Sequence, residues 1–108
     1  MAVYVDDMRA PFGRMIMCHM LADTPKELLD MADLIGVPRR HIQNARRYDE
    51  HFDIAKAARA RAVKLGAKEI TQRKCGAMLR ERRDIAIIEY TVKQAIAKSL
   101  RELKESGS

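Results

Sequence analysis

The eight residues from Arg14 to Leu21 constrain the fold more than any other segment. Their sequence, RMIMCHML, is apolar on both faces of a two-residue period. A strand with that pattern is covered on both sides of its sheet, whereas an edge strand or a half-exposed strand carries polar residues on one face. The segment therefore predicts a buried central strand.

A helix start follows this strand. Thr24 is suited to the N-cap, Pro25 to the first helical position, and Glu27 to the closing position of a capping box. Apolar residues then recur at helical spacing until Gly36 and Pro38 end the pattern; they are Leu28, Met31, Ala32 and Ile35. The segment predicts an amphipathic helix that begins at Pro25.

The flanking segments predict further short strands. Residues 2–5 are β-prone, and residues 67–70 read as another short strand. Pro11 and Gly13 mark a loop before the central strand. Residues 39–50 are irregular or hold one short strand.

Three more helices are expected in the second half of the chain. Asp53 is placed to cap a helix that ends at Leu65, and a second helix runs from Thr71 to Leu79. A long last helix begins at Asp84. Its apolar residues fall in one stripe when projected at helical spacing: Ile85, Ile88, Val92, Ile96 and Leu103.

This order of elements predicts an α/β fold. With 108 residues the chain is long enough for one domain. We expect a small single-domain sheet of three to four strands flanked by helices over residues 1–83. Residues 84–105 form the long C-terminal helix, packed on that domain or on a partner, and residues 106–108 form a tail.

The composition restricts the setting of the protein. No apolar run approaches the roughly 18 residues that a membrane span requires, and the two aspartates near the N-terminus do not fit a secretory signal. Cys18 and Cys75 lack CxxC spacing, which argues against a disulfide scaffold or a structural zinc site. We therefore expect a cytoplasmic protein without membrane contact.

Positive charge is concentrated in one segment. Residues 55–83 hold ten Lys and Arg against two Asp and Glu, a net charge of +8, whereas residues 1–54 carry −2 and residues 84–108 carry zero. Such a segment attracts phosphate and polyanions, although it can equally be a solvated surface. The chain has only five aromatic residues with which to stack bases.

Histidine and carboxylate residues supply the candidate site. His19 lies in the central strand, His51 and Asp53 are two residues apart, and Asp6 follows the first strand. Ligand sites in α/β sheets gather at strand ends, so we expect these four side chains to converge. They could bind a divalent metal or carry out acid–base catalysis. The alternatives are a core histidine with one carboxylate partner, and Asp53 as a helix cap.

Several segments resemble a bacterial and phage family known as domain of unknown function 4031. The likeness covers residues 2–71 and rests on VYVDD at 3–7, GRMIMCHMLAD at 13–23 and HFDI at 51–54. The resemblance implies that the polar positions of the family are Asp6, Arg14, His19, Asp23, His51, Asp53 and Arg59. Arg14 and Asp23 already stand out as polar residues next to the predicted strand, and the resemblance adds Arg59; we take these three as ligand-binding residues, although the resemblance implies no activity.

Three functions remain open. The first is binding of a phosphate-bearing ligand, a nucleotide or a nucleic acid, through Arg14, Arg59 and the basic segment. The second is a small hydrolase or nucleotide-processing enzyme that uses His19, His51, Asp53 and Asp6, with or without a divalent metal as cofactor. The third is a protein-interaction module. For the last we expect a homo-oligomer formed through the stripe of Ile85, Ile88, Val92, Ile96 and Leu103.

Overall fold

The computed structural model describes residues 2–107 and shows an α/β fold with five strands and three α-helices. The strands are β1 (Val3–Val5), β2 (Ala10–Phe12), β3 (Met15–Ala22), β4 (Phe52–Ala55) and β5 (Lys68–Glu69). The helices are α1 (Pro25–Ile35), α2 (Lys56–Lys64) and α3 (Gln72–Ser106), and a single 3-10 turn spans Arg39–His41.

Strand β3 is the centre of the sheet. It pairs antiparallel with β1, with β2 and with β4, and β5 extends the sheet as a parallel neighbour of β1. Met20 of β3 pairs with both β1 and β4, and Met17 pairs with both β2 and β4. Since a strand has two edges, β1 and β2 lie end to end along one edge of β3 and β4 lies along the other. The predicted strand is central, but it is not buried along its whole length, since Met15 is 47% and Ile16 42% exposed.

The two faces of β3 have different roles. Cys18 and Met20 point into the hydrophobic core, which helices α1 and α2 cover with Leu28, Ile35 and Ala62 among others. His19 lies between them in the strand and so points to the opposite face. Cys75 of α3 comes close to His19 on that face. The sheet thus separates an apolar core from a polar layer.

Helix α1 forms as its sequence predicts. The Thr24 hydroxyl accepts a hydrogen bond from the backbone N–H of Glu27 at 3.3 Å and donates one to the Glu27 carboxylate at 2.8 Å. Gly36 ends the helix in the left-handed conformation, at φ 78°, which glycine adopts without steric cost. The Arg61 guanidinium of α2 then donates two hydrogen bonds to the Ile35 carbonyl, at 2.7 and 3.1 Å.

The structure differs from the sequence prediction at three places. The sheet has five strands because β2 and β4 form where no strand was expected; Pro11 of β2 pairs with Ile16 along the β1 side of the sheet. Asp53 does not cap a helix but lies within β4, and α2 begins three residues later. Residues 72–106 form one helix rather than two.

Helix α3 determines the shape of the molecule. Its 35 residues give a length of about 52 Å at 1.5 Å per residue, and the extents of the molecule are 64 × 28 × 26 Å. The helix is anchored near its start, where Thr71 caps it and the Asp7 carboxylate accepts a hydrogen bond from the Gln72 N–H at 2.6 Å. Within residues 2–107, none of the helices combines the length and apolar character that crossing a membrane requires.

Candidate functional site

The sheet brings two histidines and a carboxylate to the same face. His19 of β3 is directly opposite Asp53 of β4 in the antiparallel register, so their side chains project together. His51 precedes Asp53 by two residues and therefore points the same way. The two imidazole rings are 5.3 Å apart between centroids, with an interplanar angle of 79°.

Asp6 orients His19. It is fully buried, and its Oδ2 lies 2.6 Å from His19 Nδ1. Its Oδ1 accepts hydrogen bonds from the backbone N–H groups of His19 and Met8, at 2.9 and 3.2 Å. Because those donors occupy Oδ1, Oδ2 serves as the acceptor for Nδ1–H. In the neutral imidazole the lone pair is then on Nε2.

A backbone carbonyl orients His51 in the same sense. His51 Nδ1 lies 2.7 Å from the Asp49 carbonyl oxygen. A carbonyl oxygen only accepts, so Nδ1 carries the proton and the neutral ring again presents its Nε2 lone pair. The loop that supplies this carbonyl is tied internally, since Asn44 donates to the Asp49 carboxylate and the Arg46 N–H donates to Glu50.

Both Nε2 atoms face Asp53 at distances longer than a hydrogen bond. Asp53 Oδ1 is 3.4 Å from His51 Nε2 and 3.9 Å from His19 Nε2, whereas a charge-assisted N–H···O bond is about 2.7–2.9 Å long. Two ligands of one tetrahedral ion, bonded at about 2.0–2.1 Å, stand about 3.3 Å apart. One ligand atom from each of the three residues lies within 4.8 Å of the others. The spacing fits three ligands of one metal ion better than a hydrogen-bonded triad.

Cys75 closes the buried side of this cluster. Its thiol is within ligand distance of Asp6 and His19. Burial raises the pKa of Cys75 to about 11, and the neighbouring Asp6 carboxylate adds to that increase through its charge and a hydrogen bond. Without a bound metal ion Cys75 is therefore a thiol at neutral pH and donates a hydrogen bond to Asp6.

Arg59 also reaches Asp6. Its Nε donates to the Asp6 backbone carbonyl at 2.9 Å, and its Nη1 contacts the Glu69 carboxylate at 3.0 Å. It lines a cavity of about 340 Å³ together with Arg9, Lys56 and Cys18. Because Cys18 points away from His19, this cavity lies on the opposite face of the sheet from the histidine pair.

Two other candidate residues do not join the histidine cluster. Arg14 is exposed in the turn between β2 and β3, five residues from His19, which is about 16 Å along a strand. Asp23, beyond the other end of β3, accepts hydrogen bonds from the Ala2 N–H at 2.8 Å and the Tyr4 hydroxyl at 3.0 Å. The bond to Asp23 raises the pKa of Tyr4. Asp23 thus joins β3 to β1.

Sequence reasoning missed two participants in the site. The Asp49 carbonyl that orients His51 is a backbone group, so the residue type at position 49 does not predict this contact. Cys75 had been set aside as a cysteine without a partner in sequence, and only the fold carries it to Asp6. A weak sequence signal existed for Cys75 alone: it is the one cysteine in the basic segment.

Comparison with known proteins gives a family match. A family model described as a protein of unknown function, DUF4031, matches residues 3–82. That range contains all the residues of the histidine cluster and the first turns of α3. Neither the curated proteins nor the solved structures yield a match to the chain.

Proposed function

This chain belongs to the DUF4031 family of proteins of unknown function, and we propose that it is a divalent-metal-dependent hydrolase acting on a phosphate ester. The ion would be held by His19, His51 and Asp53. The observation that carries the proposal is that both Nε2 lone pairs and Asp53 Oδ1 converge at ligand spacing.

The supporting groups match what metal-bound histidines require. Ligating imidazoles usually donate their second N–H to a carboxylate or a backbone carbonyl. His19 has the first kind of partner in Asp6, and His51 has the second in the Asp49 carbonyl. A buried carboxylate also lowers the cost of holding a cation next to it.

Three protein ligands leave coordination positions for water and substrate. This is the arrangement of catalytic rather than structural zinc sites, and Asp53 is exposed enough, at 41% of its side chain, for a substrate to reach it. When bound, a divalent ion would lower the pKa of a coordinated water to near neutrality. Hydrolysis joins the oxygen of water to phosphorus and breaks the bond to the leaving alcohol, so it consumes no other reactant.

The surrounding charge favours a phosphate-bearing substrate. Cys75 touches the site, and its neighbours Arg73 and Lys74 are exposed in the first turn of α3. Cations at that position attract anions toward the metal. A transition metal held by two histidines and one carboxylate also supports oxygen chemistry; the exposed cations are the reason to prefer phosphoester hydrolysis.

A second candidate is binding of a phosphate-bearing ligand without hydrolysis. The cavity of about 340 Å³ on the other face favours it, since Arg9, Lys56 and Arg59 line its wall. Asp7 and Glu69 line it as well, and Glu69 already pairs with Arg59. The net charge of the lining is therefore smaller than the number of its cations suggests.

Metal titration and phosphatase assays test the proposal together. Calorimetry of the metal-free protein with Zn²⁺ and Mn²⁺ should show one site, which His51→Ala should abolish while the circular dichroism spectrum is unchanged. His41→Ala is the matched control, because His41 is an exposed histidine of the 3-10 turn. It should leave metal binding intact.

The catalytic part is measured with p-nitrophenyl phosphate and bis(p-nitrophenyl) phosphate. We expect release of p-nitrophenol that requires the metal and is lost in His51→Ala. If the protein binds the metal but hydrolyses neither ester, the proposed hydrolase activity is rejected and only metal binding remains. Equal metal affinity in His51→Ala and His41→Ala would reject the site itself.

A further inference from the structure

We propose that two copies of this chain pair through α3 in antiparallel orientation, between Ile85 and Leu103. This interaction is separate from the metal site. The surface consists of Ile85, Ile88, Val92, Ile96 and Leu103, named here the α3 stripe. Its side chains are 48–68% exposed in the single chain, although they are large and apolar.

The α3 stripe has an exact repeat. Ile85 and Ile96 are 11 residues apart, as are Val92 and Leu103, and the remaining member, Ile88, is 11 residues from Ser99. An 11-residue repeat gives 3.67 residues per turn, close to the 3.6 of an unstrained helix. The stripe therefore stays on one side of the helix over five turns, as continuous packing against a second helix requires.

The domain does not use this side of the helix. α3 contacts the sheet through Cys75 and through Arg82, whose guanidinium donates to the Ala22 carbonyl at 2.8 Å. At 100° per residue these two positions are about a quarter turn from the centre of the stripe. Glu81 lies on the side of the stripe in the turn before Ile85.

The charge distribution along α3 favours a second copy of this chain as the partner, in antiparallel orientation. Residues 84–92 carry Asp84 and Glu89 and no basic residue, a net charge of −2. Residues 93–104 carry four basic residues against Glu102, a net charge of +3. Antiparallel pairing sets each acidic half beside the basic half of the other copy, whereas parallel pairing sets like charges together.

The stripe is also centred for such pairing. When two copies run antiparallel about Gln94, Ile85 meets Leu103 and Val92 meets Ile96. Each contact then occurs twice, once on either side of the two-fold axis, so the assembly closes as a dimer with no stripe left over.

Light scattering with size exclusion measures the mass of the full chain. A dimer has 2 × 12.3 = 24.6 kDa. Ile88→Glu should shift the mass to that of a single chain while the helical circular dichroism signal persists. Ile87→Glu is the matched control, since Ile87 is equally apolar, adjacent and 57% exposed but lies off the stripe.

The orientation has its own test. Chains with Ile85→Cys should form a disulfide with chains carrying Leu103→Cys when the two are mixed under oxidising conditions, because antiparallel pairing places residue 85 opposite residue 103; chains with Ile85→Cys alone should form none. A single-chain mass at all concentrations would overturn the dimer, and so would equal dissociation by Ile87→Glu and Ile88→Glu. A disulfide between two chains with Ile85→Cys, which parallel pairing would form, would overturn the antiparallel register.

Discussion

Asp6 and His19 form the shortest side-chain contact of the candidate site, with Asp6 Oδ2 2.6 Å from His19 Nδ1. Their strands pair antiparallel, and the Asp6 N–H donates to the His19 carbonyl at 3.1 Å. The same two residues are thus joined through the backbone and through their side chains. The tautomer of His19, and with it the availability of Nε2, depends on Asp6.

Asp6→Asn should therefore weaken metal binding through the tautomer. The Asn oxygen would still accept the two backbone N–H groups, but its amide would donate toward His19 Nδ1 and move the imidazole proton to Nε2. We expect metal affinity to fall about 10–100-fold, as on loss of other groups that orient ligands. Calorimetry measures the change, with Asp7→Asn as the neighbouring exposed control. If Asp6→Asn leaves the metal affinity unaltered, Asp6 has no role in metal binding.

The two cysteines should resist alkylation while the chain is folded. Burial raises the pKa of both Cys18 and Cys75 to about 11 from 9.0, which reduces the thiolate fraction about 100-fold at pH 8. Iodoacetamide labelling, followed by mass spectrometry, should be much faster in concentrated guanidinium chloride than in buffer. Rapid labelling of the native protein at pH 8 would contradict this assignment.

The same two thiols predict how stability changes at high pH. The folded chain holds these protons more tightly than the unfolded chain does, so their contribution is complete below about pH 9. It is lost as pH rises through about 11. The free energy of unfolding, measured with urea, should fall between pH 9 and 11, and less so in Cys75→Ala than in the parent chain.

Arg61 should stabilise the chain through the end of α1. Its two hydrogen bonds to the Ile35 carbonyl place a cation at a helix C-terminus, where the helix dipole favours it. We expect Arg61→Ala to lower the free energy of unfolding by about 1–2 kcal/mol. Lys64→Ala, on the same helix and exposed, should change it by under about 0.5 kcal/mol. Equal effects would show that the Arg61 contact carries no stability.

Nucleic-acid binding by the basic segment should be weak and dependent on salt. Helices α2 and α3 lie on opposite faces of the sheet, so one ligand meets only part of the charge. If only the part of α3 within the basic segment engages, through Arg73, Lys74, Arg80, Arg82 and Arg83, the log–log salt slope should be no steeper than about −4.5. Fluorescence anisotropy with duplex and single-stranded oligonucleotides measures it. A steeper slope would require cations besides these five, and no binding at low salt would leave the charge as solvated surface.

The parts of the fold that were predicted are those with local causes. The apolar run of β3 and the capping box of α1 act within a few residues, so their sequence sufficed. The break expected before Asp84 was wrong because Arg and Glu, which fill residues 80–83, are good helix formers. Strand β2 was missed since Pro11 suggested a loop, and its pairing with Ile16 depends on a partner strand.

The residues of the candidate site also fall into those that the local sequence predicts and those that depend on strand pairing. His19 and His51 could be nominated from their residue types and positions. Asp53 was ambiguous, because an aspartate before an alanine-rich helix suits a cap, and only its pairing opposite His19 assigns it to a strand. Arg14 and Asp23 were nominated as polar residues beside the central strand, and their distance from His19 follows from the length of β3, at whose two ends they lie.

Because β3 is paired along both edges, we expect the backbone N–H of His19 to exchange with solvent more slowly than that of His51. His19 gives its own N–H to the buried Asp6 carboxylate, so deuterium reaches that amide only when the central strand opens. The N–H of His51 bonds to Gln43 across an isolated bridge, at the end of a loop. Such a bridge opens at far lower cost than a strand flanked on both sides. The backbone at His19 is therefore held rigidly, whereas the backbone at His51 opens often. An ion bound between the two histidines would slow amide exchange at His51 and leave that at His19 unchanged.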